Sequence, residues 1–334
     1  MTVSTAVPVR LPLGKALNHG LRQAMLDDPR VMLIGEDVGT LGGVFRVTEG
    51  LLEEFGASRV INSPLAESSI VGTAIGLALR GFRPVCEIQF DGFIYPAFDQ
   101  IVSQLAKIRA RSGGKLTAPV TIRVPVGGGI GAVEHHSESN EAYFCHTAGL
   151  RVVSCASPAD AHLMIQQAIA CDDPVVFYEP KRRYWDTDDI VLGPPTSGGL
   201  GLNQARVARE GDAVTLITYG PTVRTGLDAA AVAASEGHSI EVVDLRSLSP
   251  LDLPTLGASV TKTRRAIVVH EAPTFAGLGA EIAATLTEHY FELLEAPVLR
   301  VGGYNTPYPP SRAEDLYLPD IDRVLDAIDV VLAY

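Results

Sequence analysis

Residues 60–81 read VINSPLAESSIVGTAIGLALRG. A short β-branched run, a proline turn and a long stretch of small and apolar residues follow one another. With PVCEIQF at 84–90 behind it, the order is strand, buried helix, strand, which is a parallel β-α-β unit. The same rhythm extends in both directions. ALNHGLRQAMLDD (16–28) spaces apolar residues as a helix does, and VMLIGED (31–37) is a short apolar run ending in acids. Downstream, YPAFDQIVSQLAKIRARSGG (95–114) reads as a helix and PVTIRVPVGGG (119–129) as a strand. RVVSCASP, a helix from Ala159 to about Ala170 and the strand PVVFYEP complete the first series. Strands alternating with helices predict an α/β fold whose mostly parallel sheet is covered by helices on both faces.

Turn-rich sequence including GPPTSGGLG then interrupts the pattern. Beyond it AVTLITYG, TGLDAAAVAASEG, IEVVDLRSLSPLD, RAIVVHEAP and AEIAATLTEHYFELL repeat the alternation. The predicted layout is an α/β domain over 1–190, a linker over 191–204 and a smaller α/β domain over 205–334. A length of 334 residues suits two domains of about 100–200 residues each. Twenty-seven basic against 39 acidic residues leave a net charge of −12. That balance opposes phosphate backbones and anionic lipid, so nucleic-acid and membrane-surface roles are not expected. The four cysteines form no CxxC pair and no zinc spacing, which suits reduced thiols in a cytoplasmic protein. The opening MTVSTAVPVRLPLGKAL lacks the apolar core of about 7–15 residues that a signal peptide carries. No complete G-x-G-x-x-G between strand and helix, and no phosphate-binding P-loop, is present.

Glu67 is the first candidate for chemistry. With Ser63 as N-cap and Pro64 as first helical residue, it falls in the first turn of a helix that is otherwise apolar or small. The bland reading is an acid complementing the helix dipole. A carboxyl at the mouth of a buried helix, however, either finds a specific partner or is suited to proton transfer. Gly72 and Gly76, four apart, permit close approach of another backbone. The second candidate lies in VGGGIGAVEHHSESNEA (126–142), a glycine-rich loop directly after a strand, at the sheet edge that ligands prefer. Spacing of His135, His136 and His146 matches no standard zinc arrangement. His136 reads as a proton donor or acceptor near neutral pH, and His135 and His146 as loop histidines bonded to backbone carbonyls.

GEDVGTLGGVFRVTEGL (35–51), INSPLAESSIVGTAIGLAL (61–79), EIQFDGFIYPAFDQIVSQLAKIRARSGG (87–114), HHSESNEAYF (135–144) and EAPVLRVGGYNTPYPP (295–310) together resemble the β chain of the thiamine-diphosphate-dependent 2-oxo acid dehydrogenases. The likeness is nearest the branched-chain type, with the pyruvate type close, and is collinear over nearly the whole chain. It implies a pyrimidine-binding domain followed by a transketolase-like C-terminal domain. It also implies that Glu67 bonds to N1′ of the cofactor's aminopyrimidine and that Leu65, Gln89 and Phe93 line the pyrimidine pocket. Branched-chain members often carry tyrosine where this chain has Phe93. His136 matches the loop histidine that serves acyl transfer to lipoamide, whereas HTAGL at 146–150 departs from the commoner His-Cys-Pro-Gly form.

The resemblance further implies a monovalent-cation (K+) site in AIACDDPVV. The backbone carbonyls of Val120, Ala168, Ile169 and Cys171 and the carboxylate of Asp173 would be its oxygen ligands. A helix C-terminus followed by an Asp-Pro turn explains the same residues without an ion. No Gly-Asp-Gly, the family's magnesium-diphosphate motif, occurs in the chain. The diphosphate and its Mg2+ are therefore expected to be held mainly by an α subunit in an α2β2 heterotetramer, active only as a pair. The acyl acceptor is a lipoyl-bearing acyltransferase core, expected to dock near Asp315, Asp320, Asp322, Asp326 and Asp329 of the last segment, where the bland reading is a solvated acidic face. Alternatives are a pyruvate dehydrogenase β subunit, a split transketolase-like enzyme acting on sugar phosphates and a non-catalytic docking scaffold. The one basic cluster comparable to a phosphate site, KRRYW at 181–185, is placed for subunit contact.

Overall fold

A computed structural model describes residues 7–195 and 199–334; residues 1–6 of the predicted first domain and 196–198 of the predicted linker lie outside the described residues. The first half carries strands β1 (Val9–Pro12), β2 (Val31–Gly35), β3 (Val60–Asn62), β4 (Arg83–Glu87), β5 (Thr121–Val126), β6 (Arg151–Ser154), β7 (Val175–Pro180) and β8 (Thr187–Ile190). The second half carries β9 (Arg206–Arg209), β10 (Val214–Thr218), β11 (Ile240–Asp244), β12 (Ser247–Ser249), β13 (Ala266–Pro273) and β14 (Leu299–Gly303). A seven-stranded sheet runs β12-β6-β7-β5-β4-β2-β3, a five-stranded sheet runs β14-β13-β10-β11-β9, and β1 pairs with β8 in a separate ribbon. Within the two larger sheets only β12 against β6 and β9 against β11 are antiparallel. The chain is therefore a two-part α/β protein with mostly parallel sheets flanked by helices.

Each residue of β2, β5 and β7 is buried, because both faces of the seven-stranded sheet are covered. Side chains alternate between the faces. Leu33, Val85, Val175 and Phe177 pack under the helices Leu13–Asp27 and Pro158–Ala170. Ile34, Cys86, Ile122 and Val176 pack on the other face with the helix Glu67–Leu79 and with Ile217, Val243 and Val268 of the second half. One core thus spans both halves, and β12 carries the second half onto the edge of the first sheet. Arg246 ties the halves further, donating to Asp160 Oδ1 at 2.9 Å and to the Gln204 carbonyl at 2.6 Å. Among the described residues no helix is long and apolar enough to cross a membrane.

Helix ends follow local chemistry. Ser157 caps Pro158–Ala170 by accepting from the Asp160 N–H, and Asp252 and Asp320 cap Leu253–Thr263 and Ile321–Leu332 in the same way. The segment 95–114 differs from the single predicted helix. It is broken into a 3-10 stretch Asp91–Ala97, a π turn Gln100–Gln104, a 3-10 turn Leu105–Lys107 and one α turn Ile108–Arg111. Pro96 lies in the first piece, where its ring and missing N–H block a regular i to i−4 ladder.

His270 on β13 is fully buried. Its Nδ1–H donates to the Ala272 carbonyl at 2.9 Å, and among the described residues Nε2 has no partner. A Cβ on Gly279 would stand 2.5 Å from that Nε2, so glycine is what admits the ring. Burial holds the imidazole pKa down at about 4, from an ordinary 6.5. The unfolded chain then binds a proton that the folded one refuses. Stability present above pH 6.5 should be lost as pH falls toward 4, by at most roughly 3 kcal/mol. Urea unfolding at pH 7.5 and pH 5 should show a smaller pH effect in His270→Asn than in the wild type; equal pH effects would contradict this.

Candidate active site

Parallel pairing brings the ends of neighbouring strands level. Gly35 at the end of β2 is opposite both Asn62 of β3 and Glu87 of β4. Glu36 and Asp37, the turn Ser63–Ala66, and Gln89 to Phe93 consequently all emerge at one carboxyl edge. β5 joins the same edge through the Glu87 and Arg123 pairing and then runs into the glycine loop.

The Ser63 N–H donates to the Gly35 carbonyl at 2.8 Å, extending the sheet ladder one residue past β3. The helix starts four residues beyond Ser63, so Ser63 does not cap it, contrary to the sequence expectation. Ala66 is the N-cap and Glu67 the first helical residue. Glu67 still sits in the first turn and is only 7% exposed, whereas Leu65 two residues earlier is 80% exposed. Glu36 lies within electrostatic reach of Glu67. Burial, reinforced by the Glu67 charge, raises the Glu36 pKa above the usual carboxylate range. Among the described residues its Oε1 is buried without a partner. Sequence reasoning quoted Glu36 in GEDVG but gave it no role; an acid directly after a buried strand at the ligand edge was the available signal. Gln89 donates to Asp37 Oδ2 at 3.1 Å.

His136 ends a 3-10 turn, Glu134–His136. Its ring stacks on Phe90 with centroids 3.9 Å apart and meets Phe93 edge-on at 5.0 Å. The Phe93 expected in the pyrimidine pocket thus stands against His136. Burial, joined by the charges of His135 and Lys181, holds the His136 pKa below the usual histidine range, and Nδ1 is buried without a partner among the described residues. A neutral imidazole so placed can accept or relay a proton. His135 and His146 are exposed, and His135 approaches Glu134 at 3.5 Å.

Beneath this layer, buried charges are paired. Arg123 donates to Glu87 at 2.5 Å and to both oxygens of Glu179 at 2.6 and 2.9 Å, and Tyr184 adds its hydroxyl to Glu179 at 2.6 Å. Lys181 and Asp91 form a fully buried ion pair. Burial alone would push the Asp91 carboxyl up and the Lys181 ammonium down, and each partner opposes the other's shift. Asp91 also accepts the Glu138 N–H at 2.8 Å. KRRYW is consequently not a basic surface. Lys181 is inside, Arg182 faces Glu271 at 3.4 Å, and Arg183 donates to the Pro221 carbonyl; Trp185 remains exposed.

The expected cation ligands lie at the opposite, amino edge, where they do not fit a monovalent ion. Arg83 donates to the Ile169 carbonyl at 3.0 Å and the Cys171 carbonyl at 3.1 Å. The Ala168 carbonyl accepts the Cys171 N–H, and the Val120 carbonyl accepts the Val175 N–H within the sheet. Asp173 pairs with Arg109 at 2.6 Å and Arg151 at 2.9 Å. Each oxygen has a protein partner, and three guanidiniums already supply positive charge that would repel a cation. Among the described residues no three His, Cys, Asp or Glu side chains gather into a metal-holding group.

Comparison with known proteins places the chain among relatives of this architecture. Residues 10–185 match the transketolase pyrimidine-binding domain and residues 203–324 the transketolase C-terminal domain. The chain is 57% identical to the pyruvate dehydrogenase E1 component subunit beta of Leifsonia xyli subsp. xyli, over 97% of this chain and 95% of that one. It is 53% identical to the 3-methyl-2-oxobutanoate dehydrogenase subunit beta of Mycobacterium tuberculosis, over 96% and 92%. A solved split-gene transketolase, described as an inactive β4 tetramer, superposes with a TM-score of 0.77 at 22% identity, over 97% of this chain and 98% of that one; this likeness is one of fold.

Removing one partner of the buried Lys181–Asp91 pair leaves an uncompensated charge. Lys181→Met should lower unfolding free energy by about 3–5 kcal/mol, and adding Asp91→Asn should recover much of that loss. Urea denaturation checks it; a Lys181→Met protein within about 1 kcal/mol of wild type would show the pair to be inconsequential.

Proposed function

We propose, for a chain that belongs to the family of β subunits of the 2-oxo acid dehydrogenases, that it supplies half of a thiamine-diphosphate site completed by an α subunit in an α2β2 heterotetramer. The pair would oxidatively decarboxylate a branched-chain 2-oxo acid and pass the acyl group to the lipoyl arm of an acyltransferase core. The observation that carries this reading is Glu67, a buried acid at the first turn of an apolar helix, next to the exposed Leu65. A flat heteroaromatic ring with one basic nitrogen would cover the apolar surface and meet the acid. When bound, thiamine diphosphate supplies a nucleophilic thiazolium carbon and an electron sink for the 2-oxo acid's lost carboxylate.

Glu67 would hold a proton at the pyrimidine N1′, the general acid–base role its site suits. Leu65 and Gln89 would orient the pyrimidine from the same sheet edge, and Phe93, which meets His136 edge-on, would line its pocket. His136, neutral and backed by Phe90, would handle the proton exchanged when the lipoyl sulfur takes the acyl group. The chain contributes no metal-binding motif for the diphosphate, so Mg2+ would come with the α subunit. Exposed Asp322, Asp326 and Asp329 on the last helix offer an acidic face to a basic docking domain of the core.

The 53% identical 3-methyl-2-oxobutanoate dehydrogenase relative supports a branched substrate. Pyruvate is the second reading, favoured by the 57% identical relative. A sugar-phosphate substrate is disfavoured, because Lys181, Arg182 and Arg183 are engaged internally.

Glu67→Gln keeps the size but not the acid. In the assembled enzyme, hydrogen–deuterium exchange at the thiazolium C2 should slow by about two to four orders of magnitude, and wild-type exchange rates would refute the role of Glu67. Steady-state assays of the co-expressed subunits should give a higher kcat/KM for 2-oxoisovalerate than for pyruvate; the reverse order would select the second reading.

A further inference from the structure

Loop 127–140 leaves the end of β5, carries His136 and enters the short helix Glu141–Cys145. Its grip comes largely from the second half of the chain. Glu314 accepts the Gly129 N–H on Oε1 at 2.8 Å and the Gly131 N–H on Oε2 at 3.0 Å. Tyr308 donates its hydroxyl to Oε1 of the same carboxylate at 2.7 Å. Glu271, on β13, accepts the Gly128 N–H. Glu314 is only 6% exposed.

Gly127, Gly129 and Gly131 all have left-handed backbone, with φ of +86°, +83° and +70°. That conformation turns successive N–H groups toward one side, the arrangement that elsewhere receives an anion. Here two carboxylates of the chain itself fill it. At the other end of the loop Asp91 accepts the Glu138 N–H through its side chain, and its carbonyl accepts from Asn140 Nδ2 at 3.0 Å. The span with His136 is therefore stretched between two buried carboxylate anchors.

We propose that Glu314 is a positioning residue: by clamping the glycine loop to the second half of the chain it sets His136 against Phe90 for acyl transfer. This deepens, and rests on, the role given to His136 above. Tyr308 holds the Glu314 carboxylate in place, and Glu271 closes the clamp at Gly128.

The test uses the assembled α/β enzyme. Glu314→Gln keeps the size and one acceptor oxygen but turns an NH2 toward a glycine N–H. Backbone hydrogen exchange in peptides covering 127–140, followed by mass spectrometry, should speed up about tenfold, the loss expected for one charged hydrogen bond, with β2 and β10 peptides unchanged. Acylation of a free lipoyl domain should fall about tenfold or more, while decarboxylation with an artificial electron acceptor stays within about twofold. Tyr308→Phe should move loop exchange and acylation the same way by less, and it carries the test if Glu314→Gln fails to assemble. Unchanged loop exchange, faster exchange with unimpaired acylation, or equal losses in both half-reactions would each overturn the proposal. His136→Ala separates the two ideas: equal losses in both half-reactions there would sink the role of His136, while loop exchange in Glu314→Gln still decides the clamp.

Discussion

Too many acids converge on the carboxyl edge of the seven-stranded sheet for a low-dielectric interior to hold unaided. Glu36, Glu67, Glu87, Asp91 and Glu179 are all buried there. Arg123 answers Glu87 and Glu179 from the sheet beneath, and Lys181 answers Asp91 from the turn after β7. Among the described residues Glu36 and Glu67 have no such cation, and the Glu67 charge makes Glu36 costlier to ionise. Structural acids are thus neutralised from below, and the uncompensated pair is left at the surface a ligand would reach. An uncompensated acid in that position fits proton transfer better than it fits stability.

The second half of the chain matters to this edge as much as the first. Its apolar residues share the core under the helix Glu67–Leu79, and its carboxylates Glu271 and Glu314 hold the glycine loop. Two sheets that look separable in sequence are joined through the very loop that bears His136. Leu65 is exposed, and at Gly76 a Cβ would meet nothing within 4 Å.

Much of this was legible in the sequence, and the failures have physical causes. The alternation of strands and helices follows from apolar runs and helical spacing, and Glu67 stands out because its helix is otherwise apolar. Ser63 looked like a cap because capping chemistry is local, but the backbone turns helical only at Glu67, with Ala66 as N-cap. The stretch around Pro96 had helical periodicity without a helical backbone. Lys181 and Glu314 were invisible as site residues, since their partners lie 90 and 185 residues away. The proposed cation ligands were four carbonyls and the Asp173 carboxylate; Arg83, 86 residues before Ile169, donates to two of those carbonyls.

The central claim is that this chain holds the pyrimidine half of a site and cannot hold the rest. Calorimetric titration of thiamine diphosphate with Mg2+ into the isolated chain and into the co-expressed α/β pair tests it most directly. The account predicts binding at least about a hundredfold tighter in the pair, a difference of some 2.7 kcal/mol. Tight, magnesium-dependent binding by the isolated chain would contradict it.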